Sequence, residues 1–205
     1  MIMADNIRKA NVSRATKETD IRLDLAIDGD AAGVGDGAIQ TGDGFMDHML
    51  TLFARHGLFN LGVACKGDTH VDFHHSAEDI GICLGTAFRQ ALGDFRGIRR
   101  YGSAYVPMDE SLARVCLDIS GRPNLVYNVP LTDRKINNFE CDLAEDFFKA
   151  FCDHCGATVH VDLIRGRNSH HSLEAVFKAF GRALSEACEI NARAANSLPS
   201  TKGVI

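Results

Sequence analysis

The chain has 205 residues, 45% hydrophobic and 24% charged, the balance of an ordinary globular protein long enough to bury a real core. Its formal net charge of −5 argues against a general polyanion binder, so no nucleic acid partner is expected, while a small basic pocket for one phosphate stays compatible. The apolar runs are too short to cross a bilayer, and the polar stretch from Met1 to Lys17 lacks the hydrophobic run of a secretory signal, so neither membrane nor export is expected and the chain reads as cytoplasmic.

In chain order, apolar and polar residues alternate from Ile21 to Asp28, the period of a half-buried strand, with a turn at Asp28-Gly29-Asp30. A helix is predicted from Phe45 to His56, ending at Gly57, then a strand from Leu61 to Cys65 and a helix that starts at His74 and runs to Leu92. The second half repeats this order. Strands are predicted at Ser103 to Val106, Ala113 to Ile119 and Asn124 to Val129, a helix from Asp142 to Cys152, a strand from Ala157 to Ile164, and a last helix ending near Ile190. Each half therefore reads as a sheet covered by helices, an α+β arrangement. The tail Asn196 to Gly203 has loop composition; it is either disordered or closes over a ligand, and composition favours disorder.

The most informative pattern is a repeat. His74-His75-Ser76-Ala77-Glu78 returns as His170-His171-Ser172-Leu173-Glu174, each residue 96 positions later, and Gly85, Ala87 and Ala91 meet Gly181, Ala183 and Ala187 at the same offset. A period this long implies two fused copies of one small fold rather than a stacked solenoid. The units are a first repeat over residues 1–95, a second over 96–192 and a tail over 193–205.

Neighbouring residues on a helix point about 100° apart, whereas residues three or four apart share a face. Within each cluster the two histidines thus serve different ions, while a histidine and the glutamate one turn on can share one. His48 adds an imidazole from the preceding helix; at offset 96 it falls opposite Ala144, close to Glu145 and Asp146, so a carboxylate can complete one site where imidazole completes the other. Mixed imidazole and carboxylate sets favour Mn²⁺, Fe²⁺ or Zn²⁺. Asp47, Asp72 and Asp79 lie near enough to orient the rings.

Other residues take plainer readings. His70 and His160 read as strand residues and His56 as a helix-terminal cation. Cys152-Asp153-His154-Cys155 has the spacing of half a zinc knuckle without a second half, so its residues read as a helix end, and the seven cysteines read as reduced thiols. Arg99-Arg100, Arg122 and Lys178 are candidate anion contacts if the fold brings them together. On the residues alone, a metal-storage assembly and a binuclear hydrolase are both open readings.

The chain resembles the imidazoleglycerol-phosphate dehydratase family over nearly its whole length. The resemblance is carried by Arg14-Ala15-Thr16-Lys17-Glu18-Thr19, by the run Thr41 to Leu50, by His56-Gly57 and Asp72 to Asp79, and by Met108-Asp109-Glu110 and Ser120-Gly121-Arg122-Pro123. It continues through Asn168 to Ala179 and Pro199-Ser200-Thr201-Lys202-Gly203. It implies a duplicated two-layer α/β unit like the second domain of ribosomal protein S5. It also implies a cytoplasmic homo-oligomer of 24 subunits with active sites shared between them, and the dehydration of imidazole glycerol phosphate to imidazole acetol phosphate in histidine biosynthesis with two Mn²⁺ per active site. The metal ligands it implies are His48, His74, His75, Glu78, His170, His171 and Glu174. The substrate contacts are Glu18, Arg100, Arg122, Lys178, Ser200 and Lys202. Many members carry a histidine ligand before the Phe-Phe pair, where this chain has Asp146, so either Asp146 ligates as its substitute or the metal takes water there. Glu18 and Glu174 are the acid/base candidates; a metal-bound Glu174 is the weaker base, which favours Glu18.

Overall fold

A computed structural model of the chain describes residues 8–30 and 37–205; Met1 to Ile7 of the polar opening stretch lie outside them. The strands of the first half are β1 (Lys9–Ala15), β2 (Thr19–Ala26), β3 (Ile39–Gln40) and β4 (Asn60–Gly67), and its helices are α1 (Gly44–Gly57) and α2 (His74–Leu92). The second half holds β5 (Tyr101–Met108), β6 (Ser111–Ile119), β7 (Asn124–Asn128), the short hairpin β8 (Lys135–Ile136) and β9 (Phe139–Glu140), and β10 (Ala157–Arg165). Its helices are α3 (Leu143–Cys155) and α4 (Ser169–Cys188).

The two main sheets have one topology. Their strand orders are β1-β2-β4-β3 and β5-β6-β10-β7, each an antiparallel ladder with a parallel pair at one edge. Strict alternation makes this possible: in β6 every second residue, from Ser111 to Ile119, is buried, so one face of the ladder is apolar. Both sheets belong to a fold of α+β class, and the duplication read from the histidine clusters fits the two units.

Each helix layer covers its own sheet and also meets the helices of the other half, α1 against α4 and α2 against α3. Phe53 stacks on Phe180 with centroids 5.2 Å apart, and Phe88 meets Phe151 edge-on at 5.8 Å, so one aromatic core spans both halves. Glycine sets the approach at both crossings. A Cβ on Gly85 of α2 would stand 2.5 Å from the Phe151 carbonyl oxygen, and one on Gly181 of α4 would stand 2.4 Å from that of Phe53. Among the described residues, no helix is long and apolar enough to cross a membrane.

One strand was not expected, and two expectations need correction. Strand β1 escaped the pattern reading because it is an edge strand whose polar residues outnumber Ala10 and Val12. His70 lies in the turn after β4 rather than in a strand, while His160 is in β10 with its side chain outside the core. The tail is folded back: Gly97 donates its N–H to the Ser197 carbonyl, Arg96 donates to that of Asn196, and Ile205 closes on Gly121. Composition missed this because backbone partners supplied by the loop at Gly97 hold the segment.

Candidate metal centre

Local capping determines where the histidines stand. The Asn168 side chain accepts from the N–H groups of His170 and His171 at 2.9 and 3.3 Å, and Asp72 accepts from that of His74 at 2.8 Å, so both clusters open their helices. One turn later come Glu174 and Glu78. Within each pair the rings are nearly perpendicular, 86° for His170 and His171 and 82° for His74 and His75, so neighbouring histidines face different directions as helix geometry requires.

The first group joins α1 to α4. His48 Nε2 lies 3.4 Å and His170 Nε2 3.3 Å from the same oxygen, Oε2 of Glu174, while Lys178 donates to the other oxygen, Oε1, at 2.6 Å. One ligand atom from each of His48, His170 and Glu174 lies within 4.8 Å of the other two, the only such triad among the described residues. Two imidazole nitrogens converging on one carboxylate oxygen suit a borderline divalent ion and offer nothing to a soft thiophilic one. Burial opposes ionisation of Glu174, but Lys178 and His48 outweigh it and hold the carboxyl below its ordinary value. Phe45 packs edge-on against His170 with centroids 5.2 Å apart and fixes that ring.

The second group joins α3 to α2. His74 Nδ1 lies 3.6 Å from Asp146, and His74 Nε2 lies 3.9 Å from Glu78. The arrangement is looser, and all three side chains are about half exposed. Asp146 rather than Ala144 answers His48, because α3 is shifted by two residues relative to the 96-residue offset. Phe151, not the residue at that offset, meets Gly85 as Phe53 meets Gly181.

The second histidines are held from behind. His75 Nδ1 lies 3.1 and 3.2 Å from the two oxygens of Asp68, and its Nε2 lies 3.9 Å from Glu18. His171 Nδ1 lies 2.9 Å from Glu110. The aspartates expected in this role are engaged elsewhere: Asp47 accepts from Thr41, Asp79 from Arg14 and Thr19, and Asp72 from the His74 N–H at the start of α2. Asp68 and Glu110 carry no periodic signal, since they stand on loops. Only the Met108-Asp109-Glu110 stretch hinted at one of them.

The basic residues split into two places. Lys178 sits beside Glu174, whereas Arg100 grips Asp118 through Nε and Nη2 at 2.6 and 3.0 Å and donates from Nη1 to the Pro199 carbonyl at 2.7 Å. Arg122 reaches the same Asp118 at 3.9 Å, and the tail bearing Ser200 and Lys202 runs between Arg100 and Gly121. Arg100 also binds the end of α4 through the Ala187 carbonyl. Thirteen helical residues separate Ala187 from Glu174, about 20 Å at 1.5 Å per residue.

His56 does not act as the expected helix-terminal cation. Burial and the charges of Lys178 and Arg182 push its pKa down and disfavour the cationic form where α1 ends. Cys152 and Cys155 occupy the last turn of α3, both fully buried, and burial pushes the Cys152 thiol up to about 12.

The chain is similar to known proteins over most of its length. The family model described as imidazoleglycerol-phosphate dehydratase matches residues 41–184. The imidazoleglycerol-phosphate dehydratase of Saccharophagus degradans is 53% identical over 203 residues, covering 99% of this chain and 100% of that protein, and that of Burkholderia multivorans is 54% identical, covering 96% and 99%. The Pyrococcus furiosus structure superposes with a TM-score of 0.81 at 36% identity, covering 95% of this chain and 100% of that one. For the Staphylococcus aureus structure the values are 0.78, 40%, 89% and 99%.

Proposed function

The chain belongs to the imidazoleglycerol-phosphate dehydratase family, hydro-lyases of histidine biosynthesis, and we propose that it converts D-erythro-imidazole glycerol phosphate to imidazole acetol phosphate and water with two Mn²⁺ per active site. The observation that carries this reading is the convergence of His48 and His170 on one oxygen of Glu174, a three-point grip for a cation at the mouth of α4. His74, Glu78 and Asp146 supply the matching grip in the other half, and His75 and His171 offer one further nitrogen to each ion. The ions, when bound, draw electron density from the imidazole of the substrate and so make its ring an electron relay toward the departing hydroxyl.

The rest of the reaction falls to protein groups. A carbon-bound proton must go to a base, the neighbouring C–O bond must break with its electron pair leaving as hydroxide, and the resulting enol then moves a proton from oxygen to carbon. Glu18 is the base: it stands on the exposed β1–β2 turn 3.9 Å from His75 Nε2, and among the described residues no lysine or arginine pairs with its carboxylate. Glu174 is committed to His48, His170 and Lys178 and is the poorer candidate. Arg100, Arg122, Ser200 and Lys202 hold the phosphate, whose remote binding energy orients the reacting carbons.

The separation of about 20 Å along α4 supports a shared site. Three carbons join ring and phosphate in the substrate, far too few to reach from the Glu174 end to Arg100 in one subunit. The phosphate contacts must then come from a neighbouring chain, as in the expected 24-subunit cytoplasmic homo-oligomer.

The test is incubation of purified, Mn²⁺-loaded protein with imidazole glycerol phosphate. An enolisable ketone that retains its phosphate supports the proposal. Release of inorganic phosphate would identify a hydrolase, and binding of Mn²⁺ without turnover would identify a storage protein.

A further inference from the structure

We infer that Glu110 is a positioning residue for His171, the functional counterpart of Asp68 behind His75, and that the two halves recruited these carboxylates from different loops. The inference rests on His171 and His75 being metal ligands, as proposed above.

The equivalences follow from contacts. A Cβ on Gly67 would meet Ser76 Oγ, and one on Gly166 would meet Ser172 Oγ at 2.4 Å; Ser76 and Ser172 are the matching serines of the two clusters. Gly67 therefore corresponds to Gly166, and Asp68 to Arg167. The buried Thr19 at the start of β2 corresponds to the buried Ser111 at the start of β6, which makes Glu18 the counterpart of Glu110.

The roles have crossed over. In the first half Asp68 takes His75 Nδ1, and the half-exposed carboxylate of Glu18 stands 3.9 Å from Nε2, on the other side of the ring. In the second half an arginine stands where Asp68 would be, and the residue matching Glu18 bends back instead: Glu110 Oε2 meets His171 Nδ1 at 2.9 Å, while Oε1 accepts the Asn168 N–H at 2.9 Å and the Arg167 N–H at 3.4 Å. A carboxylate on Nδ1 keeps the proton there and frees Nε2 as a lone-pair donor. This accounts for a turn glutamate that stays off the Nδ1 nitrogen in one half only. The duplicated turn yields an acid/base residue where a separate aspartate does the orienting, and an orienting residue where Arg167 stands in that aspartate's place.

Glu110→Gln separates this role from simple loop support. Its single carbonyl oxygen can keep the Asn168 N–H and thus the start of α4, but then its NH₂ faces His171 Nδ1 and forces the proton onto Nε2. Titration of the purified full-length protein with Mn²⁺, with free ion read by electron paramagnetic resonance, is expected to show about 10- to 100-fold weaker binding at one of the two sites. The melting temperature of the metal-free protein should stay unchanged. Adding Arg167→Asp, which installs the arrangement of the first half, should restore binding. Wild-type affinity in E110Q, a parallel loss of affinity and melting temperature, or failure of R167D to rescue would each overturn the inference. His171→Ala serves as the reference: if it binds Mn²⁺ like the wild type, the ligand reading itself fails, whereas weakened binding in H171A with none in E110Q defeats only the role of Glu110.

Discussion

His48 and Asp146 hold the same place on duplicated helices, each across from the opening histidine of a cluster: His48 beside His170 and Asp146 3.6 Å from His74. The two proposed sites thus share a plan but differ in charge, since an imidazole in one is a carboxylate in the other. Asp146→Ala is expected to lower bound Mn²⁺ from two ions per chain to one, and His48→Ala to remove the other ion. Elemental analysis after gel filtration checks this; equal loss of both ions in either variant would contradict separate sites.

Arg100 connects three things at once, the Asp118 carboxylate, the Pro199 carbonyl and, by the proposed function, the phosphate. Lysine cannot reproduce that fork. Arg100→Lys and Arg100→Ala should therefore both raise KM for substrate by about 10-fold or more, with Mn²⁺ content unchanged. Steady-state kinetics beside metal analysis reads both.

The glycine contacts between helices predict a stability effect away from the chemistry. Gly181→Ala would press a methyl against the Phe53 carbonyl, and overpacking of this kind costs about 1–3 kcal/mol. Gly44→Ala, where nothing lies within 4 Å, is the control and should be near neutral. Denaturant titration of both variants compares them.

Arg8 ties the end of β2 to the end of α4, donating to Asp28 through Nε at 2.9 Å and to the Cys188 carbonyl through Nη1 at 2.7 Å. Burial alone would raise the Asp28 pKa, but its bonds from Arg8 outweigh that and lower it. A depressed carboxylate stabilises the fold above its unfolded pKa, near 3.8, and that contribution is lost as pH falls through the folded value. Asp28→Asn should thus cost about 1 kcal/mol at neutral pH, and the gap to wild type should close below pH 4. Thermal melts across pH 2.5 to 7 measure it.

Much of this was legible in the sequence because it is written in periods. The clusters at His74 and His170 announce both the duplication and the ligand pairs, since helix geometry puts each histidine one turn from its glutamate. The partner of His48 was blurred because a two-residue shift between halves hides Asp146 behind Ala144 at a constant offset. The roles of Asp68 and Glu110 could not be read for a deeper reason: they depend on loops that converge in space, and the two identities do not repeat. The folded tail escaped because its partners at Gly97, Arg100 and Gly121 lie far away along the chain.

The crossing of α1 with α4 and α2 with α3 bears on how such a chain could arise. Phe53 meets Phe180 and Phe88 meets Phe151 across the halves, so a half-length polypeptide would need a second molecule before its aromatic face was shielded from water. Joining two such copies end to end replaced an encounter that depends on protein concentration with one guaranteed at synthesis. Once the partners were no longer identical by necessity, a turn glutamate in one of them was free to take up a different trade.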